Sequence, residues 1–106
     1  MLVDSIIEYL NDYIQLLKGN KAGCLVLHKE VSRHPVVKIY HNYHYKIWFI
    51  TKEGQKLLTT FCKSFNASEY TEEQINKDME KAFCIHIFWW LRSKEFKEQF
   101  DEQISN

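Results

Sequence analysis

Val36-Val-Lys-Ile-Tyr-His-Asn-Tyr-His-Tyr-Lys-Ile-Trp-Phe-Ile-Thr51 decides how the rest of this chain is read. β-Branched and aromatic side chains dominate it, and Pro35 marks entry from a loop, so the stretch reads as strand rather than helix. With Asn42 and Tyr43 as the loop of a tight hairpin, Tyr40 would face Tyr45, His41 would face His44 and Val36 would face Phe49. The opposite face would then carry Val37, Ile39, Lys46, Trp48 and Ile50. The apolar run Cys24 to His28 has strand length and adds to the same sheet.

Helical periodicity flanks this β region on both sides. Leu2, Val3, Ile6, Ile7, Leu10, Tyr13, Ile14 and Leu17 recur at helical spacing, with Ser5 and Glu8 as an S-x-x-E capping pattern and Lys18-Gly-Asn20 as the stop. From Glu53 onward Leu57, Leu58, Phe61, Cys62 and Phe65 follow a helical stripe, which predicts a second helix ending near Asn66. Thr71 and Gln74 form another capping pattern, after which Ile75, Met79, Ala82, Phe83, His86, Ile87, Trp90 and Leu91 trace a third. Over 83–91 periodicity alone does not separate a buried helix from a buried strand; the cap and the unbroken run favour helix. Ser93 is placed to cap a last helix bearing Phe96, Phe100 and Ile104.

The expected fold is therefore a single α+β domain over 1–106. A small antiparallel sheet of two or three strands packs against about four helices in the order α-β-β(-β)-α-α-α, with the helices on one face.

Fourteen basic and fourteen acidic residues give formal neutrality, so the net charge selects neither nucleic acid nor a membrane surface as partner. The charges are unevenly spread. Met1 to Leu17 holds three acids and no base, and Lys18 to Lys56 eight bases and two acids; Leu57 to Asn106 holds six bases and nine acids. Lys outnumbers Arg twelve to two, a bias of AT-rich genomes that low-GC bacteria and large lytic phages share. Cys24, Cys62 and Cys84 are odd in number and widely spaced, which reads as buried reduced thiols. With no signal-peptide pattern and no apolar run of membrane-spanning length, a cytoplasmic location away from membranes is expected.

No Gly-rich phosphate loop, H-E-x-x-H, G-x-S-x-G or C-x-x-C is present, so neither catalysis nor a cofactor is expected. His41-x-x-His44 with Cys24 or His28 offers zinc-type ligands. Residues three apart in a straight strand point to opposite faces, however, and solvent-facing histidines are the better reading. His86 in an apolar helix reads as a core histidine needing a hydrogen-bond partner.

Lys38, Tyr43, Lys46 and Trp48 mix cations and rings in the way of sheet-type nucleic-acid binders, and this is the alternative function. Within the same region Trp48-Phe-Ile-Thr-Lys-Glu-Gly-Gln-Lys-Leu-Leu58 resembles the closing strand and following helix of winged-helix regulators. The resemblance covers about a tenth of the chain, and one helix precedes it here where that family has three, so the family is not assigned.

Phe83, Phe88, Trp89, Trp90, Phe96 and Phe100 supply more aromatic surface than one helix face hides. Trp90 and Phe83 share the core stripe, while Phe88, Trp89 and Phe96 are the candidate partner-binding residues. The leading expectation is a small non-catalytic protein-binding module, its partner another protein or a second copy. The codon bias suggests a phage or mobile-element accessory protein that inhibits or regulates a host factor.

Overall fold

A computed structural model describes residues 2–18 and 23–98. Helix α1 (Leu2–Lys18) leads into strands β1 (Cys24–Arg33), β2 (Tyr40–Thr51) and β3 (Gly54–Asn66), and helix α2 (Glu72–Arg92) follows. Residues 94–98 add a short helical segment. The strands form an antiparallel meander in the order β1-β2-β3. α1 lies on β1, α2 lies on β3, and the helices touch each other above the sheet.

Strand alternation sorts β2 cleanly. Tyr45, Ile47 and Phe49 are buried under the helices, whereas His44, Lys46 and Trp48 lie on the face that no described helix covers. Leu25 from β1, Leu58 and Phe65 from β3, Val3, Ile7, Leu10 and Ile14 from α1, and Ile75, Met79, Phe83, Ile87 and Trp90 from α2 complete the core. Each fully buried aliphatic or phenyl group is worth about 1.5–3 kcal/mol of hydrophobic stabilisation. Phe83 packs edge-on to Tyr45 at 5.2 Å, tying α2 to the central strand. Burial, reinforced by the Glu80 and Asp4 carboxylates, pushes the Tyr45 phenol above its ordinary range.

The helix expected from Glu53 to Asn66 is instead β3, and the reason lies in one irregularity. Ile47 pairs with Thr59 but Trp48 pairs with Leu57, so Leu58 is an extra residue in a bulge. The bulge lets Leu58 turn inward one position early. Leu58, Phe61 and Phe65 consequently fall at spacings of three and four, which imitates a helix although all three face the core side of a strand. The helix that the winged-helix resemblance implies after Thr51 is absent for the same reason.

The hairpin placed at Asn42 and Tyr43 is also corrected. Both residues lie inside β2, opposite Ser32 and Val31, and the pairings proposed from that loop do not form. Chain reversal occurs instead over 34–39 and at Lys52-Glu53. His34 Nδ1 organises the first reversal by accepting from the amides of Val36 and Val37 at 3.2 and 2.9 Å. Gly54 ends the second with φ near 147°, a conformation that favours glycine.

α1 begins at Leu2, so Ser5 sits within the helix rather than at its cap; the Val3 amide instead donates to Glu80 Oε1 on α2 at 2.7 Å. On α2 the expected capping box is present, with Thr71 Oγ1 accepting from the Gln74 amide and Gln74 Oε1 accepting from the Thr71 amide. Residues 83–91 are helical. Ser93 Oγ accepts from the Phe96 amide at 3.0 Å and opens the segment 94–98. With that segment the described helical pieces number three, not four. Gly19, Asn20, Phe100 and Ile104 lie outside the described residues, as do the side chains of Leu2 and Leu17.

Candidate functional site

Two surfaces remain once the core is assigned: the outer side of the helix layer and the open face of the sheet.

α2 carries its apolar residues on more than one side. The inward stripe holds Phe83, Ile87 and Trp90, and at about 100° per residue Ile85, Phe88 and Trp89 are turned outward. Phe88 is 49% and Trp89 65% exposed, and their rings meet edge-to-face at 5.9 Å. The Arg92 guanidinium sits 4.1 Å from the centre of the Phe88 ring. Tyr9 on α1 is 68% exposed and lines, with Ile6, Ile87, Phe88 and Leu91, a groove of about 500 Å³ between the helices. Leu16 extends the apolar surface toward the end of α1.

Of the three expected partner-binding residues, Phe88 and Trp89 are on this surface. Phe96 is not equivalent to them: it is partly buried, its ring 4.8 Å from Trp90. Tyr9, Leu16 and Ile85 escaped the sequence reading. Their signal was available, since each is apolar yet falls off its helix's core stripe.

Cross-strand pairing builds the open face. Cys24 opposes Ile50, Val26 opposes Trp48, His28 opposes Lys46, Glu30 opposes His44 and Ser32 opposes Asn42. On the other side His44 opposes Cys62 and Lys46 opposes Thr60. Glu30 collects two cations: Lys46 Nζ donates to Oε2 and His28 Nε2 meets Oε1, both at 3.0 Å. The Lys46 hydrogen bond holds the Glu30 carboxyl below the usual carboxylate range, and the charges of Lys46 and His28 add to it. His44 Nε2 lies 3.4 Å from Ser32 Oγ and 3.9 Å from Cys62 Sγ.

The four residues of the nucleic-acid reading are not gathered by this geometry. Lys46 and Trp48 share the open face, with Lys46 neutralised by Glu30. Tyr43 lies on the helix side of β2 against Phe65, and Lys38 is in the 34–39 connection, at the other end of β2 from Trp48. His41 and His44 likewise point to opposite faces, and Cys24 lies at the far end of the sheet from both. Among the described residues no group of three or more His, Cys, Asp or Glu side chains is placed to hold a metal ion.

The three thiols are unbridged, but Cys24 and Cys62 are exposed on the open face rather than buried. Only Cys84 is partly covered, and burial raises its thiol above the ordinary range, with Glu80 adding to the effect. His86 Nε2 is satisfied by the Thr59 hydroxyl at 2.8 Å and stacks on Phe83, and burial lowers its pKa from 6.5. No described helix is long and apolar enough to cross a membrane.

Comparison with protein-family models, with curated proteins and with solved structures finds no match to this chain.

Proposed function

We propose that this chain is a non-catalytic protein-binding module whose contact surface is the outer side of the α1–α2 layer. One observation carries the reading: Phe88 stands exposed beside Tyr9 with the Trp89 ring against it, and Ile85 and Leu16 are exposed on the same two helices, although the core closes without them. Exposed tryptophan, tyrosine and arginine in one neighbourhood are the residues that dominate binding energy at protein interfaces. A clustered apolar surface of this kind is a liability for an isolated domain and an asset for one that binds. Occupancy of such a surface is sufficient to inhibit or regulate a partner without chemistry. The supporting detail at α2 is mechanical, since a helix anchored by Phe83, Ile87 and Trp90 presents its outer side chains on a rigid frame.

The test is photo-crosslinking in cells from a benzophenone amino acid placed at 88 or 89, with 32 and 62, exposed on the open face of the sheet, as controls. Protein adducts from the first pair and not from the second support the reading. Absence of any adduct at 85, 88 and 89 refutes it.

A further inference from the structure

We propose that the partner on this surface is a second copy of the same chain, with α1 of each copy lying over α2 of the other; this rests on the reading of the helix layer as the binding surface.

The charges of that layer are divided between its two helices. α1 bears Asp4, Glu8 and Asp12, all exposed, and one base, Lys18, at its last position. The exposed ridge of α2 that carries Ile85, Phe88 and Trp89 bears Lys81 and Arg92. None of Asp4, Glu8, Asp12, Lys81 and Arg92 takes part in an ion pair among the described residues. α2 also carries acids, but Glu73 pairs with Lys77, Asp78 with Lys63, and Glu80 accepts from the Val3 amide. Beside Ile85, Phe88 and Trp89 the charges that remain are Lys81 and Arg92, opposite in sign to the three acids of α1. A patch made of complementary halves is what a two-fold interface uses, since each half meets the other half of its copy.

The heights of the charges along the helices match as well. The Val3–Glu80 contact joins residues 77 apart, and Tyr9 and Leu10 share the groove with Ile87 and Phe88, so α1 and α2 run parallel. With that offset and about 1.5 Å of rise per residue, Asp4 stands level with Lys81, Glu8 with Ile85 and Asp12 with Trp89. A two-fold axis parallel to the helices keeps heights and exchanges sides. It brings Asp4 of one copy opposite Lys81 of the other, and Asp12 to within about one turn of Arg92, a gap the long guanidinium side chain spans. Tyr9 and Leu16 then lie over the ridge of Ile85, Phe88 and Trp89. An axis perpendicular to the helices would set α1 on α1 and place three acids against three acids, which is unfavourable. Two helices side by side, one of 17 residues, offer a face of about 25 by 20 Å. That is near the lower end of specific interfaces, so a dissociation constant in the micromolar range is expected.

Sedimentation of the full chain between about 1 and 100 µM, the range such a face supports, tests the proposal by charge exchange. Asp4→Lys with Asp12→Lys makes both helices basic, and Lys81→Glu with Arg92→Glu makes both acidic. Each double variant is expected to dimerise at least about tenfold more weakly than the wild type, through like-charge repulsion. An equimolar mixture of the two should restore dimers, because every contact again pairs opposite signs; restoration also shows that both variants are folded. A wild-type chain that stays monomeric throughout overturns the proposal, as does a dimer whose strength neither variant nor the mixture changes. Adducts from position 88 or 89 to a different protein, alongside a monomeric chain, overturn the second copy as occupant and leave the binding surface itself standing.

Discussion

Replacing Trp90 and Trp89 separately by alanine separates the core of α2 from its outer surface, although the two residues are adjacent and chemically identical. Trp90 is 5% exposed and packs against Phe96, and its Nε1 has no hydrogen-bond partner, so truncation removes apolar contact and no polar bond. Deleting a buried indole leaves a cavity and costs about 3–5 kcal/mol. That is a large part of the roughly 5–15 kcal/mol that holds a domain of this size folded. Trp89 is 65% exposed, so little more than a third of its surface is covered. Taking about 250 Å² for a whole indole, the covered part is under about 90 Å², worth at most about 2 kcal/mol. A compact unfolded state lowers this by up to about two-fifths, and the Cβ that alanine keeps lowers it further, to about 1 kcal/mol. In thermal unfolding followed by circular dichroism, Trp89→Ala should melt about 4–8 °C lower than the wild type and Trp90→Ala at least about 15 °C lower. Trp90→Phe, which keeps most of the packing and removes the orphaned N–H, should recover over half of that loss. Comparable, severe destabilisation by both alanine variants would mean that the segment is interior all round, and the proposed binding surface would lose its strongest residue.

Four further outcomes are expected. Gly23→Ala should cost more than about 2 kcal/mol in urea unfolding, because φ is near 105° and a Cβ would fall on the Ile50 carbonyl oxygen. Glu80→Ala should lower stability by about 1–2 kcal/mol through loss of a charge-assisted bond to the start of α1. Its signature in hydrogen exchange should be faster amide exchange in α1 than in the sheet. His86, whose pKa is lowered by burial, is neutral in the fold while its unfolded counterpart takes up a proton below about 6.5. Stability should therefore fall as pH drops from 7 through that value, levelling only below the folded pKa, and the slope should flatten in His86→Asn. Thiol titration of the native protein should count Cys24 and Cys62 rapidly and Cys84 slowly, and three thiols once unfolded; fewer than three in a freshly reduced sample would contradict the unbridged state.

Local chemistry wrote several features directly into the chain. The stripe of α1, the Thr71–Gln74 capping box, the helical course of 83–91 and the inward position of Phe83 and Trp90 follow from periodicity and side-chain type, which act within a few residues. Helices on one face of an antiparallel sheet follow from the need to bury those stripes. The outward position of Phe88 and Trp89 is geometry at about 100° per residue, so it was legible too. Other features depend on what lies across the strand or the layer. Leu58, Phe61 and Phe65 have helical spacing only because a bulge opposite Ile47 and Trp48 turns Leu58 inward, and no local signal distinguishes the two cases. The true turns at 34–39 and Lys52-Glu53 fix the register, and a misplaced turn reassigns every residue of β2 to new neighbours. The exposed setting of Cys24 and Cys62, the Glu30 bridge to His28 and Lys46, and the Val3–Glu80 contact that aligns the two helices exist only after distant segments meet. Periodicity thus determined which side of each helix is apolar, and tertiary pairing alone decided which charges and rings share a surface.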